Sequence, residues 1–205
     1  MQNNDIYNES YLNYQKDRNV IRKWIRKWIR KWIYLRKIKS LVVGDAIDFG
    51  CGSGELLEIL TPDSIGFDIN QSAVDYCNKI LHLNVKWINP EENMIFKDIK
   101  KNRYNTFIMN HVLEHIEKPC NYFENILEEC FKLKIKRLIF VAPGKKGYFS
   151  DQSHKKYIDF DFFQKYSINP YYTLIRKQYF PLNNSHAGNM FLNNELIVVF
   201  EKKDS

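Results

Sequence analysis

Cysteine is scarce in this chain and placed for neither of its usual structural jobs. Cys51, Cys77, Cys120 and Cys130 are the only four in 205 residues, widely spaced and without a paired ligand motif. A disulfide scaffold and a structural zinc site are therefore not expected, and the thiols are read as reduced, as in a cytoplasmic protein. Long hydrophobic runs are missing as well. The apolar stretches are short and broken by charge, and none approaches the ~20 residues that cross a bilayer. Met1 to Ser10 is polar with no cleavable apolar stretch behind it, so no secretory signal is expected. No group of histidines, cysteines and acids stands at metal-ligand spacing, and no metal is expected. What the chain does have is apolar material: a hydrophobic fraction of 44% and an aromatic fraction of 15% exclude a disordered polymer. The length fits one domain with a short extension.

Positive charge is concentrated rather than spread. Eleven of the 31 basic residues lie between Lys16 and Lys39, where Asp17 is the only acid, and the rest of the chain is close to neutral. An extended nucleic-acid surface is therefore not expected. The basic segment carries a tetrapeptide repeat: Arg22-Lys23-Trp24-Ile25, Arg26-Lys27-Trp28-Ile29 and Arg30-Lys31-Trp32-Ile33. Four residues turn a helix by about 400°, so successive tryptophans drift by only about 40°. Trp24, Trp28 and Trp32 then sweep one apolar arc, with Arg22, Arg26 and Arg30 mostly opposite. Packing over the sheet edge or a pocket is the preferred role for such a helix. Two others stay open: contact of residues 20–38 with an anionic inner membrane surface, and binding to nucleic acid through interleaved basic and aromatic side chains. Tyr7, Tyr11 and Tyr14 share a helical face, so residues 1–40 are expected to form a helical extension or lid on a domain spanning 41–205.

That domain alternates strand-like and helix-like patterns. Ala46–Phe49, Ser64–Phe67, Val85–Ile88, Asn105–Met109 and Arg137–Val141 read as strands. Glu55–Leu60, Ala73–Leu81 and Tyr122–Phe131 between them carry helix-spaced apolar residues. Such alternation predicts an α/β fold with a parallel, doubly wound sheet. Two further strands, Tyr171–Phe180 and Leu196–Glu201, read as a hairpin-like pair around an Asn-rich loop.

The densest chemistry sits in Asp48-Phe49-Gly50-Cys51-Gly52-Ser53-Gly54, closing the first strand and expected to open a helix. Glycine lets the backbone turn tightly and approach a ligand, and a helix start offers N–H groups to its polar end. Such a loop serves NAD, FAD or S-adenosylmethionine, or is a turn with no ligand. Its Gly-x-Gly-x-Gly spacing is not the Gly-x-Gly-x-x-Gly of dinucleotide sites. Asp68, at the tip of the second strand, can accept from both hydroxyls of a ribose bound over the loop; the structural alternative is a helix N-cap.

With Asn110-His111-Val112-Leu113-Glu114-His115 after the fourth strand, the chain resembles the class I S-adenosylmethionine-dependent methyltransferases. It is most similar to the small-molecule group of ubiquinone and menaquinone type, over about residues 45–142. The resemblance implies a Rossmann-like, mostly parallel seven-stranded sheet with the last strand antiparallel. It implies S-adenosylmethionine as cofactor, bordered by Asp48, Gly50, Cys51, Gly52 and Gly54, with Asp68 on the ribose and Ile69 against adenine. Asn110 and His111 would line the transfer cavity. The chain departs from the family at Ile88-Asn89-Pro90-Glu91: Pro90 has no N–H, so the adenine contact shifts to Asn89 or Glu91. The implied reaction is displacement of the sulfonium methyl by an O or N atom of a small-molecule acceptor, with S-adenosylhomocysteine as product. Candidates for the acceptor-side base are His154, His186 and His115. An RNA or protein methyltransferase, or a silent binding module of the same fold, is the alternative.

Overall fold

A computed structural model of the chain describes residues 33–89, 96, 98–191 and 194–203. In chain order its elements are α1 (Leu35–Lys39), β1 (Ala46–Phe49), β2 (Ile65–Asp68), α2 (Gln71–Lys79), β3 (Val85–Trp87), β4 (Thr106–Asn110), α3 (Pro119–Lys132), β5 (Arg137–Ala142), α4 (Lys145–Phe149), α5 (Phe160–Gln164), β6 (Tyr172–Phe180), α6 (Ala187–Met190) and β7 (Glu195–Lys202). The seven strands form one sheet in the order β3-β2-β1-β4-β5-β7-β6. β1 runs parallel to β2 and β4, β2 to β3, and β4 to β5. β7 inserts antiparallel between β5 and β6. This is the Rossmann-like sheet with an antiparallel last strand that the resemblance implies.

The alternation of side chains along each central strand divides the core in two. On one face lie Ile47, Phe49, Phe107, Met109, Leu138, Phe140, Val198 and Phe200. The other receives Ala46, Ile108, Ile139, Val141, Ile197 and Val199. A strand apolar on both faces needs a cover on each. α3 covers the first face with Phe123, Ile126, Leu127 and Cys130, a stripe at helical spacing in which every side chain is buried. Each large member of that stripe is worth roughly 1.5–3 kcal/mol of burial. Tyr34, Leu35 and Ile38 of the α1 region cover the second face. The expected extension over residues 1–40 otherwise lies outside the described residues, as do the tryptophan repeat, its membrane reading and Tyr7, Tyr11 and Tyr14. Among the described residues no helix is long and apolar enough to cross a membrane.

One expected helix is corrected. Glu55–Leu60 forms only a 3-10 turn at Leu57–Ile59, ending in extended backbone at Leu60. Seven residues between Gly54 and Pro62 are too few to repay helix nucleation, and proline biases the residue before it away from helix. The glycine loop therefore meets no α-helix, and its N–H groups act without a helix dipole behind them. After β4, Leu113–His115 is likewise a 3-10 turn, and α3 begins only at Pro119, whose fixed φ and missing N–H suit a first helical position.

Candidate active site

The chain winds outward from β1 to β2 and β3, then crosses back to lay β4 on the opposite side of β1. The crevice at such a reversal, beyond the strands' C-terminal ends, is where open α/β sheets bind ligands. The loops after β1 and β4 meet there.

On the β1–β2 side the site is built mainly from backbone. Gly50 and Cys51 donate their N–H groups to the Phe67 carbonyl at 2.7 and 3.0 Å, which locks the loop onto β2. Gly50 and Gly52 both have positive φ, but for different reasons. A Cβ on Gly50 would press into Val112 at 2.3 Å, whereas a Cβ on Gly52 would meet nothing within 4 Å. Gly50 is required by packing, while Gly52 borders open space of the kind a ligand fills. Gly54 faces inward, where a side chain would collide with Leu83 and Cys77. The Gly52 N–H donates to Asp68 Oδ2 at 2.7 Å and the Asn70 N–H to Asp68 Oδ1 at 2.8 Å. Each carboxylate oxygen thus keeps lone-pair capacity for a further donor. Asn70, not Asp68, caps α2, accepting from the Ser72 and Ala73 N–H groups, so the capping role does not account for Asp68. Asp48 is buried, and its Oδ2 accepts no hydrogen bond. Burial, seconded by the charge of Asp68, pushes its pKa up to about 7. Contact with Cys77, then burial, push the Cys51 thiol up, so it is no nucleophile. Ile69 is half exposed, and the Trp87 indole N–H donates to its carbonyl at 2.9 Å. The two make an apolar shelf at the β2–β3 edge, with Asn89 just beyond; Glu91 lies outside the described residues. An orphaned buried carboxylate, a loop with open space over Gly52 and a strand-tip acid beside an apolar shelf fit a nucleoside-containing cofactor.

Across the crevice the site is built from side chains. The Tyr34 hydroxyl donates to Asn110 Oδ1 at 2.5 Å, fixing the end of β4 to the segment before α1. His111 adopts φ of 58°, a conformation costly for a non-glycine residue and typical of over-determined functional loops. Its Nδ1 lies 3.1 Å from Glu114 Oε1 and its Nε2 3.0 Å from Glu195 Oε2. Burial alone would lower its pKa, but Glu195 and Glu114 outweigh burial and raise it to about 10. His111 is thus an imidazolium held between two carboxylates near neutral pH, and it cannot serve as a base there.

The three histidines expected on the acceptor side separate. His115 and His154 come together, with ring centroids 4.7 Å apart, although 38 residues separate them. The loop carrying His154 is tied down by the Lys155 and Lys156 N–H groups, both of which donate to the Glu114 carbonyl. His186 is exposed at the start of α6. Its segment does reach the C-terminal edge of the sheet, since Gly188 packs closely on Gly144 after β5.

Tyr34, Trp87 and Glu195 are missed by sequence reasoning. For Glu195 a signal existed: an acid opening the run Leu196-Ile197-Val198-Val199-Phe200, where the expected strand begins one residue too late. Tyr34 ends a repeat in which tryptophan draws attention, and nothing local marks it.

Comparison with known proteins agrees with this geometry. A family model described as a methyltransferase domain matches residues 16–161. No curated protein matches the chain significantly. Among solved structures, magnesium protoporphyrin IX methyltransferase from Synechocystis PCC 6803, with bound S-adenosylhomocysteine, superposes with a TM-score of 0.67 at 15% identity, covering 97% of each chain. A SAM-dependent methyltransferase from Archaeoglobus fulgidus gives 0.60 at 18% identity, covering 96% of this chain and 100% of its own. The small RNA methyltransferase HEN1 gives 0.65 at 20% identity, covering 87% of this chain and 25% of its own.

Proposed function

The chain belongs to the S-adenosylmethionine-dependent methyltransferases, and we propose from that premise that it methylates an O or N atom of a small-molecule acceptor. The observation that carries the reading is the pairing across one crevice of a nucleotide-type loop with a polar cluster. When bound, S-adenosylmethionine supplies an activated sulfonium methyl. The protein's own task is then alignment, exclusion of water and disposal of a proton. Asp68 and the Gly52 loop would hold the ribose and methionine portions, and Ile69 with Trp87 the adenine. Asn110, oriented by Tyr34, and His111, clamped by Glu114 and Glu195, would form the floor between cofactor and acceptor. His115 and His154 would serve the acceptor, because their Nδ1 atoms are turned to Ser153 and Tyr148, which directs their Nε2 atoms elsewhere. The near-neutral charge of residues 40–205 favours a small acceptor. The lid assigned to residues 1–40 would close over this crevice, consistent with Tyr34 reaching Asn110.

RNA is a second reading, favoured by the likeness to HEN1 and by the basic segment Lys16–Lys39. One experiment separates the two. Calorimetry with S-adenosylhomocysteine should give a 1:1 complex, and transfer of labelled methyl from S-adenosylmethionine should then be scored on hydroxyl- and amine-bearing small molecules beside short RNAs. Label on RNA with a steep salt dependence would replace the small-molecule assignment. Failure to bind S-adenosylhomocysteine would favour a silent module.

A further inference from the structure

We propose that Glu114, His115 and His154 form a binding site for a divalent first-row transition-metal ion on the acceptor side of the crevice. One donor atom from each lies within 4.8 Å of the others, and His154 Nε2 stands 3.9 Å from Glu114 Oε1. Ligands bound at about 2.0–2.2 Å lie some 3–3.5 Å apart, so side-chain rotations of about 1 Å would close the set. Two imidazoles and one carboxylate suit ions of the manganese-to-zinc series and leave coordination positions open.

Three features point to a ligand rather than to packing. Glu114 is fully buried, and its Oε2 accepts no hydrogen bond. A buried carboxylate oxygen without a donor is costly unless something positive reaches it. Secondly, both histidines are held by Nδ1. His154 Nδ1 is 2.7 Å from the Tyr148 carbonyl, which can only accept, so Nδ1 carries a proton. Ser153 spends its hydroxyl proton on Asp151 Oδ1 at 2.6 Å and must accept from His115 Nδ1 at 3.2 Å. Both rings are therefore anchored through Nδ1, the arrangement in which metal-bound histidines are fixed by outer partners. Thirdly, the geometry is enforced. Tyr148 stacks on His154 at 13° between ring planes, and the two lysine N–H bonds to the Glu114 carbonyl draw the loop over the turn. No short motif announces the site, because the loop carrying His154 comes to Glu114 only through the fold.

A nitrogen that binds a cation is not available to remove a proton, so this assignment replaces a free histidine base with a Lewis acid. Lewis acidity would favour an oxygen acceptor; that use alone rests on the methyl-transfer reading, whereas the site does not.

The test uses the full-length, tag-free chain, stripped with chelator and titrated with Co2+ under optical spectroscopy, then with Mn2+ and Zn2+ by calorimetry. One equivalent of Co2+ should bind and develop visible absorption bands. His154→Ala and His115→Ala should each weaken binding by on the order of 100-fold, and Ser153→Ala by about tenfold, while His82→Asn leaves it unchanged. Thermal melts and S-adenosylhomocysteine affinity, measured on every variant, show that each is folded; Glu114→Gln is not relied upon because Glu114 is buried. No uptake of any of the three ions, or uptake indifferent to both histidine substitutions, would overturn the site. If that chain still bound S-adenosylhomocysteine, the methyltransferase reading would stand without the metal.

Discussion

The two banks of the crevice are constructed differently. The β1–β2 bank comes from a short stretch of sequence, Asp48–Gly54 with Asp68, and works largely through backbone N–H groups held in register by β2. The opposite bank comes from Tyr34, Asn110, His111, Glu114, His115, His154 and Glu195, and works through side chains. Backbone recognition tolerates few substitutions and suits a ligand that every family member shares. A side-chain bank can be rebuilt residue by residue for each acceptor, as loop-borne sites on rigid scaffolds are.

The sharpest test of this contrast is the pair Gly50→Ala and Gly52→Ala. Gly50→Ala adds a clash with Val112 to an unfavourable φ and should lower stability by several kcal/mol, roughly the overpacking and left-handed costs together. Gly52→Ala carries only the φ cost of about 1–2 kcal/mol, yet should weaken S-adenosylhomocysteine binding on the order of 100-fold by filling the open space. Melts and calorimetry on both variants check this; equal effects on stability and binding would erase the distinction between the two glycines.

A smaller loss is expected from Asp68→Ala, with binding weakened 10- to 100-fold, about 1.5–3 kcal/mol, and the fold retained. An unchanged dissociation constant would remove Asp68 from the cofactor bank.

Asp48 supplies a pH signature on the same bank. Folding raises its pKa from 3.8 to about 7, so between those values the folded state holds a proton that the unfolded state has released. Its contribution should therefore be full below about pH 4 and decline as pH rises through 7, with a slope no steeper than about 1.4 kcal/mol per pH unit. Asp48→Asn should flatten that part of the stability profile in denaturant titrations at pH 4 to 8. An unaltered slope would show that Asp48 ionises freely.

The smallest effect belongs to the opposite bank. Tyr34→Phe removes one hydrogen bond to Asn110 and should cost about 0.5–1.5 kcal/mol of stability. Turnover should fall while S-adenosylhomocysteine affinity holds. Affinity falling in step would mean that the two banks are coupled through β4.

Much of this molecule was readable from residues close together in the chain. The repeated exchange of period-2 and helix-spaced apolar patterns predicts the sheet, because each central strand must bury both faces and each covering helix one. The Phe123, Ile126, Leu127, Cys130 stripe shows the same logic in a single element. The glycine loop and Asp68 were legible because a backbone turn and a strand tip are specified locally. Only the tertiary structure decided that Gly50 serves packing while Gly52 borders open space, since the difference lies in whether Val112 stands opposite. It also decided that His111 would be charged between Glu114 and Glu195, and that His154 would join His115 while His186 stayed exposed. Local periodicity follows from the geometry of one backbone. The charge and ligand-binding capacity of a side chain depend on which distant groups the fold brings within about 4 Å, and no spacing along the chain encodes that distance.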